Sequence, residues 1–150
     1  MYNYEINNDT MALIYNLDST IVYEKNNTFE ISNTIPNKII KYSCEYFGSS
    51  FDGRVKGTNV LTGITHKVPI IIEESNDVIF FPTTSIRLKE CSWIRNKYIK
   101  NYKKTNGNNV ELIFINDDKL LLDCSYETIN NQILRSSRLE SVIRYRKNLK

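Results

Sequence analysis

Residues 34–48 read TIPNKIIKYSCEYFG, and within them the apolar residues change from strand spacing to helical spacing. An isoleucine, Cys44 and Phe47 then fall on one helical face. Pro36 suits the first turn of a helix, and Gly48 suits the position just after its last turn. The stretch therefore predicts a helix of about three turns in a chain whose other segments are mostly β-prone.

Three short β-prone runs precede this helix. They are MALIYN (11–16), TIVYEK (20–25) and TFEIS (28–32), and the spacers LDS and NN separate them. Turn-forming spacers between short β runs are typical of antiparallel strands that follow one another in sequence. The N-terminal third therefore predicts a meander.

A second short helix is predicted in the segment SSFDGRVKGTNVLTG, which follows directly. Ser49 or Ser50 would be its N-cap, and Asp52 would place a carboxylate in its first turn. Gly57 or Gly63 would end it.

Three further β-prone regions follow. Apolar runs at 68–73 and 77–81 flank the turn ESND and predict a hairpin, and the runs NVELIFI and KLLLDC around NDD predict a clearer one. Between the two hairpins, CSWIRNKYIKNYKK (91–104) is predicted as a strand because Trp, Tyr and Ile favour strands. Its apolar residues also match a helical stripe.

The C-terminal segment YETINNQILRSSRLESVIRYRK predicts an amphipathic helix with Ser125 as its N-cap. The expected buried face consists of Ile129, Ile133, Ser136, Leu139 and Ile143. The whole pattern predicts an α+β fold with a mostly antiparallel sheet built from a meander and hairpins. A helical insertion near 36–62 and the C-terminal helix complete a single domain of residues 1–150.

The composition, 41% hydrophobic and 25% charged, is that of a folded globular chain. No apolar run approaches the ~20 residues of a membrane helix, and the N-terminus lacks a secretory signal, so we expect a cytoplasmic protein. Three widely spaced cysteines, Cys44, Cys91 and Cys124, predict buried free thiols.

The charge is unevenly distributed along the chain. Residues 1–85 hold six Lys and Arg against ten Asp and Glu, a net charge of −4, whereas residues 86–150 hold fourteen against seven, a net charge of +7. Within the second part, residues 86–107 carry seven bases and one acid, and residues 135–150 carry six and one. Two such blocks predict either a positive surface for a polyanion or two separate solvated faces.

A catalytic and a metal-binding interpretation of the polar residues are both weakly supported. Ser49 or Ser50 with His66 would supply a nucleophile and a base, but FGSSF lacks the G-x-S-x-G elbow, and a serine cap explains the same residues. Cys44, His66, Cys91 and Cys124 form a Cys3His set, but every gap exceeds twenty residues, unlike the close ligand pairs of zinc sites. We expect no enzymatic activity, no metal and no cofactor.

Phosphate binding by the segment GRVKGT is a further possible interpretation. The segment is not a P-loop, but Gly53 and Gly57 lie four residues apart, on one side of a helix, with Arg54 and Lys56 beside them. A side without Cβ atoms lets another backbone approach closely. That backbone belongs either to this protein or to a sugar-phosphate chain.

Five segments taken together, CEYFGSSFDGRVKGT, THKVPIII, FFPTTS, CSWI and NNQILR, resemble in order and spacing the ComK family of competence transcription factors. The resemblance covers about residues 40–140. It implies a sequence-specific activator of DNA-uptake genes that reads paired A·T-rich boxes largely through the minor groove and assembles as a dimer or tetramer on DNA. No helix-turn-helix motif is evident, which agrees with a minor-groove reader.

The resemblance also implies the residues of the interface. We expect basic residues and His66 at or near the DNA, hydroxyl residues at its phosphates, and Thr58 at a matching signature position. The expected DNA-binding set is Ser49, Ser50, Arg54, Lys56, Thr58, His66, Lys67, Thr83, Ser85 and Arg87.

One departure and one alternative remain. Relatives continue into a longer tail with a motif for the MecA adaptor, which delivers them to the Clp protease; this chain ends at RYRKNLK, which puts that contact in doubt. The alternative function is a pleckstrin-homology-like β scaffold that binds protein or anionic lipid through the basic segment 86–104.

Overall fold

A computed structural model describes residues 3–149. Met1, Tyr2 and Lys150, which belong to the expected domain of 1–150, lie outside the described residues. The elements in chain order are β1 (Thr10–Asn16), β2 (Ser19–Glu24), β3 (Asn27–Ile31), α1 (Pro36–Tyr46), α2 (Phe51–Thr62), β4 (Ile70–Glu73), β5 (Val78–Pro82), β6 (Trp93–Arg95), a 3-10 turn (Asn96–Tyr98), β7 (Ile99–Lys104), β8 (Val110–Phe114), β9 (Lys119–Leu122) and α3 (Tyr126–Asn148).

The strands form two antiparallel sheets, so the predicted α+β class is confirmed. A large sheet has the strand order β3-β2-β1-β6-β5-β4, and a small sheet has the order β7-β8-β9. The single strand predicted for 91–104 is wrong in one respect. The 3-10 turn Asn96–Tyr98 interrupts it, so that β6 belongs to the large sheet and β7 to the small one.

Three layers result from the alternation of side chains along the large sheet. Leu13, Phe80 and Trp93 point to the face that α1 covers, whereas Ala12 and Phe81 point to the face that the small sheet covers. On this second face, α3 packs against β4 and β5. The protein therefore buries both faces of its large sheet.

Helix α2 protects the edge of the large sheet at β4. Phe51 and Val55 pack into the cluster under α1, whereas Leu61 packs with α3 on the opposite face. The helix therefore crosses the edge strand, and its Thr58 hydroxyl donates a 2.8 Å hydrogen bond to the carbonyl of Pro69. An edge strand covered in this way cannot pair with another chain.

The caps follow the sequence closely. Ser50 is the N-cap of α2 and accepts from the Gly53 N–H at 3.0 Å, and Ser125 caps α3 through Thr128. Of the two glycines proposed to end α2, Gly63 does so, with φ +78°. Left-handed backbone at that position suits glycine because it has no Cβ.

One prediction about α1 is wrong, and the connection from α1 to α2 has a form that the sequence does not reveal. Phe47 lies beyond the last turn of α1 and is 36% exposed, so it does not belong to the buried face. The connection from α1 to α2 is a four-residue turn with Gly48 at φ +84°, which is typical of a helix-turn-helix pair. The sequence FGSS resembles a cap followed by a loop, so this connection is not evident from the sequence alone.

The two ends of the large sheet carry different loops and turns and are named here after one residue each. Strand β5 ends where β4 and β6 begin, and the segments 64–69 and 83–92 at that end are called here the Lys67 end. The opposite end, called the Arg95 end, is where β6 ends and where the β2–β3 and β4–β5 turns lie.

Candidate nucleic-acid interface

Lys67 is held in an unusual backbone conformation at the end that bears its name. Its φ is +47°, in the left-handed region that few residues other than glycine adopt. The amide Nε2 of buried Gln132 donates to the Lys67 carbonyl at 2.9 Å and to the Pro82 carbonyl at 2.7 Å. One side chain of α3 therefore fixes the loop before β4 to the end of β5.

Two thiols, Cys91 before β6 and Cys124 before α3, have raised pKa values. Burial raises the pKa of Cys91, and it raises the pKa of Cys124 to about 11, while the positive charge of Lys67 opposes both shifts. The carbonyl of Lys67, to which Gln132 donates, lies where the loop before β4 meets α3.

The loop between β5 and β6 is also firmly held. Thr83 is buried, and its hydroxyl accepts from the Ser92 N–H at 3.2 Å. Asn37 of α1 donates to two carbonyls of this loop, at 3.0 and 3.2 Å. Ser85 and Arg87 are exposed, and the Ser85 hydroxyl accepts from the Arg87 N–H at 3.3 Å. The loop thus presents Arg87 from a fixed base.

The candidate residues of α2 do not join these loops. Ser49 and Ser50 lie at its N-terminus, Lys56 is exposed, and Thr58 is buried. Arg54 is half-buried, and its charge lowers the pKa of the Cys44 thiol, which burial raises. The ten residues predicted to bind DNA therefore lie in two separate regions. Five of them, His66, Lys67, Thr83, Ser85 and Arg87, lie at the Lys67 end.

The two glycines of GRVKGT, Gly53 and Gly57, have different surroundings. A Cβ at Gly53 would lie 2.9 Å from the Ser50 hydroxyl oxygen, so this glycine makes room for the serine cap. A Cβ at Gly57 would meet no atom within 4 Å. Of these two glycines, only Gly57 has open space beside its backbone, and Gly53 is explained by the fold.

Many of the cations in the two basic blocks are neutralised locally. Lys89, Lys100 and Lys103 pair with Asp18, Asp117 and Glu111, and Arg144 and Lys147 of α3 pair with Glu140 and Asp77. Arg95 is buried. The segment 86–104 therefore does not form the continuous basic strand that the lipid- or protein-binding alternative requires.

Three exposed cations have no carboxylate within 4 Å among residues 3–149 and lie at the Lys67 end or beside it. They are Arg87, Lys104 and Arg138. Lys104 precedes the β7–β8 turn. It pairs with Val110 of β8, which in turn pairs with Leu122 of β9, two residues before Cys124. Arg138 lies one turn beyond Arg135, which donates to Gln132 at 2.8 Å.

Sequence reasoning missed the β7–β8 turn and the start of α3. The turn, residues 105–109, reads TNGNN and follows two lysines. The signal was present as a basic pair before an Asn-rich turn between apolar runs. The position of this turn depends on the second sheet, which the local sequence does not reveal.

The residues considered for catalysis or metal binding are spread over the molecule. Cys44 lies in the cluster under α1, and His66 is exposed on the loop before β4. All three cysteines are free, as predicted, although Cys124 is only half-buried. In the part of the chain that the structure describes, no three His, Cys, Asp or Glu side chains are grouped to hold a metal. Nor is any helix in residues 3–149 both long and apolar enough to cross a membrane.

Fold and charge together define a small α+β protein that displays unpaired cations on loops and a hairpin turn, an arrangement typical of polyanion binders. The family described as ComK protein matches residues 1–148. A competence transcription factor from Bacillus subtilis strain 168 is 36% identical over 143 residues, which cover 93% of this chain and 74% of that protein. No solved structure matches the chain. The chain therefore belongs to the ComK family, a family of competence transcription factors and not of enzymes.

Proposed function

We propose that the protein is a sequence-specific activator of competence genes that binds A·T-rich duplex DNA mainly through the minor groove, in the cytoplasm at the nucleoid. One observation carries the proposal. Lys67, Arg87 and Lys104 lie on loops and beside a hairpin turn at one end of the molecule, without a carboxylate within 4 Å in residues 3–149. The loops that carry Lys67 and Arg87 are held by Gln132 and Asn37.

Cations carried on loops and turns suit a narrow DNA groove. A·T-rich minor grooves are narrow and strongly negative, so they attract inserted Arg and Lys side chains. Minor-groove readers also use Asn, and the exposed Asn106 and Asn108 lie at the tip of the β7–β8 turn. A loop or turn enters such a groove more readily than a helix, which fits the wider major groove.

The helix-turn-helix connection offers a rival mode in which α2 enters the major groove. Its exposed face carries Asp52, Gly53, Lys56 and Val60. That face supplies one cation, one acid and few side chains able to bond base edges. We therefore assign DNA contact to the Lys67 end, with α2 as its support.

The experiment compares three variants in fluorescence anisotropy titrations of an A·T-rich duplex at several salt concentrations. Lys67→Gly removes the ammonium, and glycine accepts the left-handed φ of this position, so the fold is preserved. Arg87→Gln removes an exposed cation. Lys119→Gln is the control, because Lys119 is exposed at the start of β9, near the Arg95 end.

Lys67→Gly and Arg87→Gln should each weaken binding and reduce the log–log salt slope by about one, the value of one phosphate contact. Lys119→Gln should bind like the wild type. Unchanged affinity in the first two variants, or an equal loss in the control, would contradict the assignment.

We further propose that the protein acts as a dimer or tetramer on DNA. The outer edge of β3 pairs with no other strand of residues 3–149, and a groove of about 640 Å³ separates it from α1. Phe29, Ile31 and Ile39 line this groove. Sedimentation with a duplex of two A·T boxes should show at least two chains per duplex; a single chain at saturation would refute oligomeric binding.

A further inference from the structure

The Arg95 end holds a polar pocket of about 450 Å³. That volume is in the range of sites for small molecules. The pocket is an open depression between the β2–β3 turn, the β4–β5 turn, the residues before β1 and the 3-10 turn. Its lining consists of Asn8, Lys25, Ser75, Asn76, Asp77, Arg95, Lys97 and Tyr98.

Arg95 is the unusual member of this lining because it is 1% exposed and forms no ion pair with a carboxylate of residues 3–149. Its Nη1 donates to the Asn8 carbonyl at 3.3 Å, and its guanidinium carbon lies 4.3 Å from the centre of the Tyr98 ring. Its Nε is buried and has no hydrogen-bond partner in residues 3–149. A buried cation without a paired carboxylate costs several kcal/mol, so such a group is rarely retained without a role.

The other charges around the pocket are also mostly positive. Lys25 also lies over the Tyr98 ring, with Nζ 4.5 Å from its centre, and Lys97 is exposed. Asp77 is the one carboxylate in the lining, and Lys147 pairs with it at 3.1 Å. Glu73 lies outside the lining, where the Ser75 hydroxyl and the Asn76 N–H donate to it.

We propose that this pocket binds a small oxyanion of the phosphate class. Arginine presents N–H groups in a fixed fork that matches the oxygens of a phosphoryl group. Lys25 and Lys97 of the lining supply the second and third cations. The pocket lies at the end of the large sheet away from Lys67, so this site is separate from the proposed DNA interface.

Burial supports the same conclusion in electrostatic terms. Burial lowers the pKa of Arg95, whereas the negative charge of Glu73 raises it. An anion in the pocket would stabilise the charged guanidinium more strongly than Glu73 does, because attraction rises as the separation and the local dielectric constant fall.

The test uses inorganic pyrophosphate and the nitrogen-15-labelled full chain. Pyrophosphate should shift the Arg95 Nε–H signal and the amide signals of Asn76 and Asp77 in proton–nitrogen NMR spectra, and sodium chloride at matched ionic strength should not. Lys25→Gln and Lys97→Gln should each weaken pyrophosphate binding at least threefold. The matched control Lys119→Gln should leave it unchanged.

Three results would overturn the proposal. They are no saturable shift at Arg95, equal shifts with chloride, or unchanged affinity in both pocket variants. A parallel titration with duplex DNA separates the two sources of phosphate. If DNA shifts the Arg95 signal and pyrophosphate does not, the pocket is part of a DNA surface and the small-anion site is wrong.

Discussion

Replacing Gln132 with methionine tests how the Lys67 loop is held. Gln132 is fully buried, and its amide nitrogen donates to the carbonyls of Lys67 and Pro82 at 2.9 and 2.7 Å. Methionine has a similar length and no amide. The substitution therefore leaves two carbonyls without a donor while it changes the packing little.

The expected loss follows from those two acceptors. Each buried acceptor left without a partner costs about 1 to 3 kcal/mol. Because the Lys67 carbonyl is only partly shielded from water, we expect Gln132→Met to lower the free energy of unfolding by about 2 to 4 kcal/mol. The loop should also open more often, since the chain segment with φ +47° would lose its anchor.

Urea unfolding measures the first effect and hydrogen exchange of the loop amides measures the second. Asn131→Met is the matched control, because Asn131 is the exposed neighbour of Gln132 on the same helix. It should change stability by less than about 0.5 kcal/mol. If Gln132→Met is as stable as the control, the two hydrogen bonds do not hold the loop and this reasoning is refuted.

Three further predictions concern the core. Leu139→Ala should cost about 2 to 5 kcal/mol in urea unfolding because Leu139 is fully buried, and half-buried Ile133→Ala should cost about half as much; equal losses would contradict the helix packing. Asn37→Ala removes the acceptor of the single tryptophan and should cost about 1 to 3 kcal/mol with a shift of its fluorescence; unchanged emission would contradict that contact. Burial raises the pKa of Cys44 and of Cys124 from 9.0 to about 11, so their contribution to stability is complete below about pH 9 and is lost as the pH rises to about 11. Replacing both with alanine should flatten that decline, and an equally steep decline would exclude these thiols as its cause.

Local patterns predicted the elements of this fold well. The change of spacing at Pro36, the serine caps and the turn spacers depend on residues close in sequence, and each is found where it was predicted. The division into two sheets was not predictable in this way. It depends on the 3-10 turn at Asn96–Tyr98, whose local sequence favours a strand and whose conformation is set by packing between the sheets.

The site residues were predictable only in part. Bases such as half-buried Lys67 and exposed Arg87 are evident from the sequence, but the hydroxyls of Thr58 and Thr83 bond within the protein, which the sequence does not reveal. A count of charges along the chain includes Arg95 in a positive block, although Arg95 is buried. Burial and pairing depend on contacts between distant segments, so charge counts along the chain overestimate the charge that a partner meets.

The central claim is that the Lys67 end reads A·T pairs from the minor groove, and base substitution in the duplex tests it most directly. An inosine–cytosine pair has the minor-groove pattern of A·T, because inosine lacks the N2 amino group of guanine, but it has the major-groove pattern of G·C. Three duplexes of one length, with A·T, inosine–cytosine or G·C pairs in the boxes, are titrated at one salt concentration. The account predicts similar affinity for the first two and much weaker binding to the third. If the inosine duplex binds as weakly as the G·C duplex, the protein reads the major groove and the central claim is wrong.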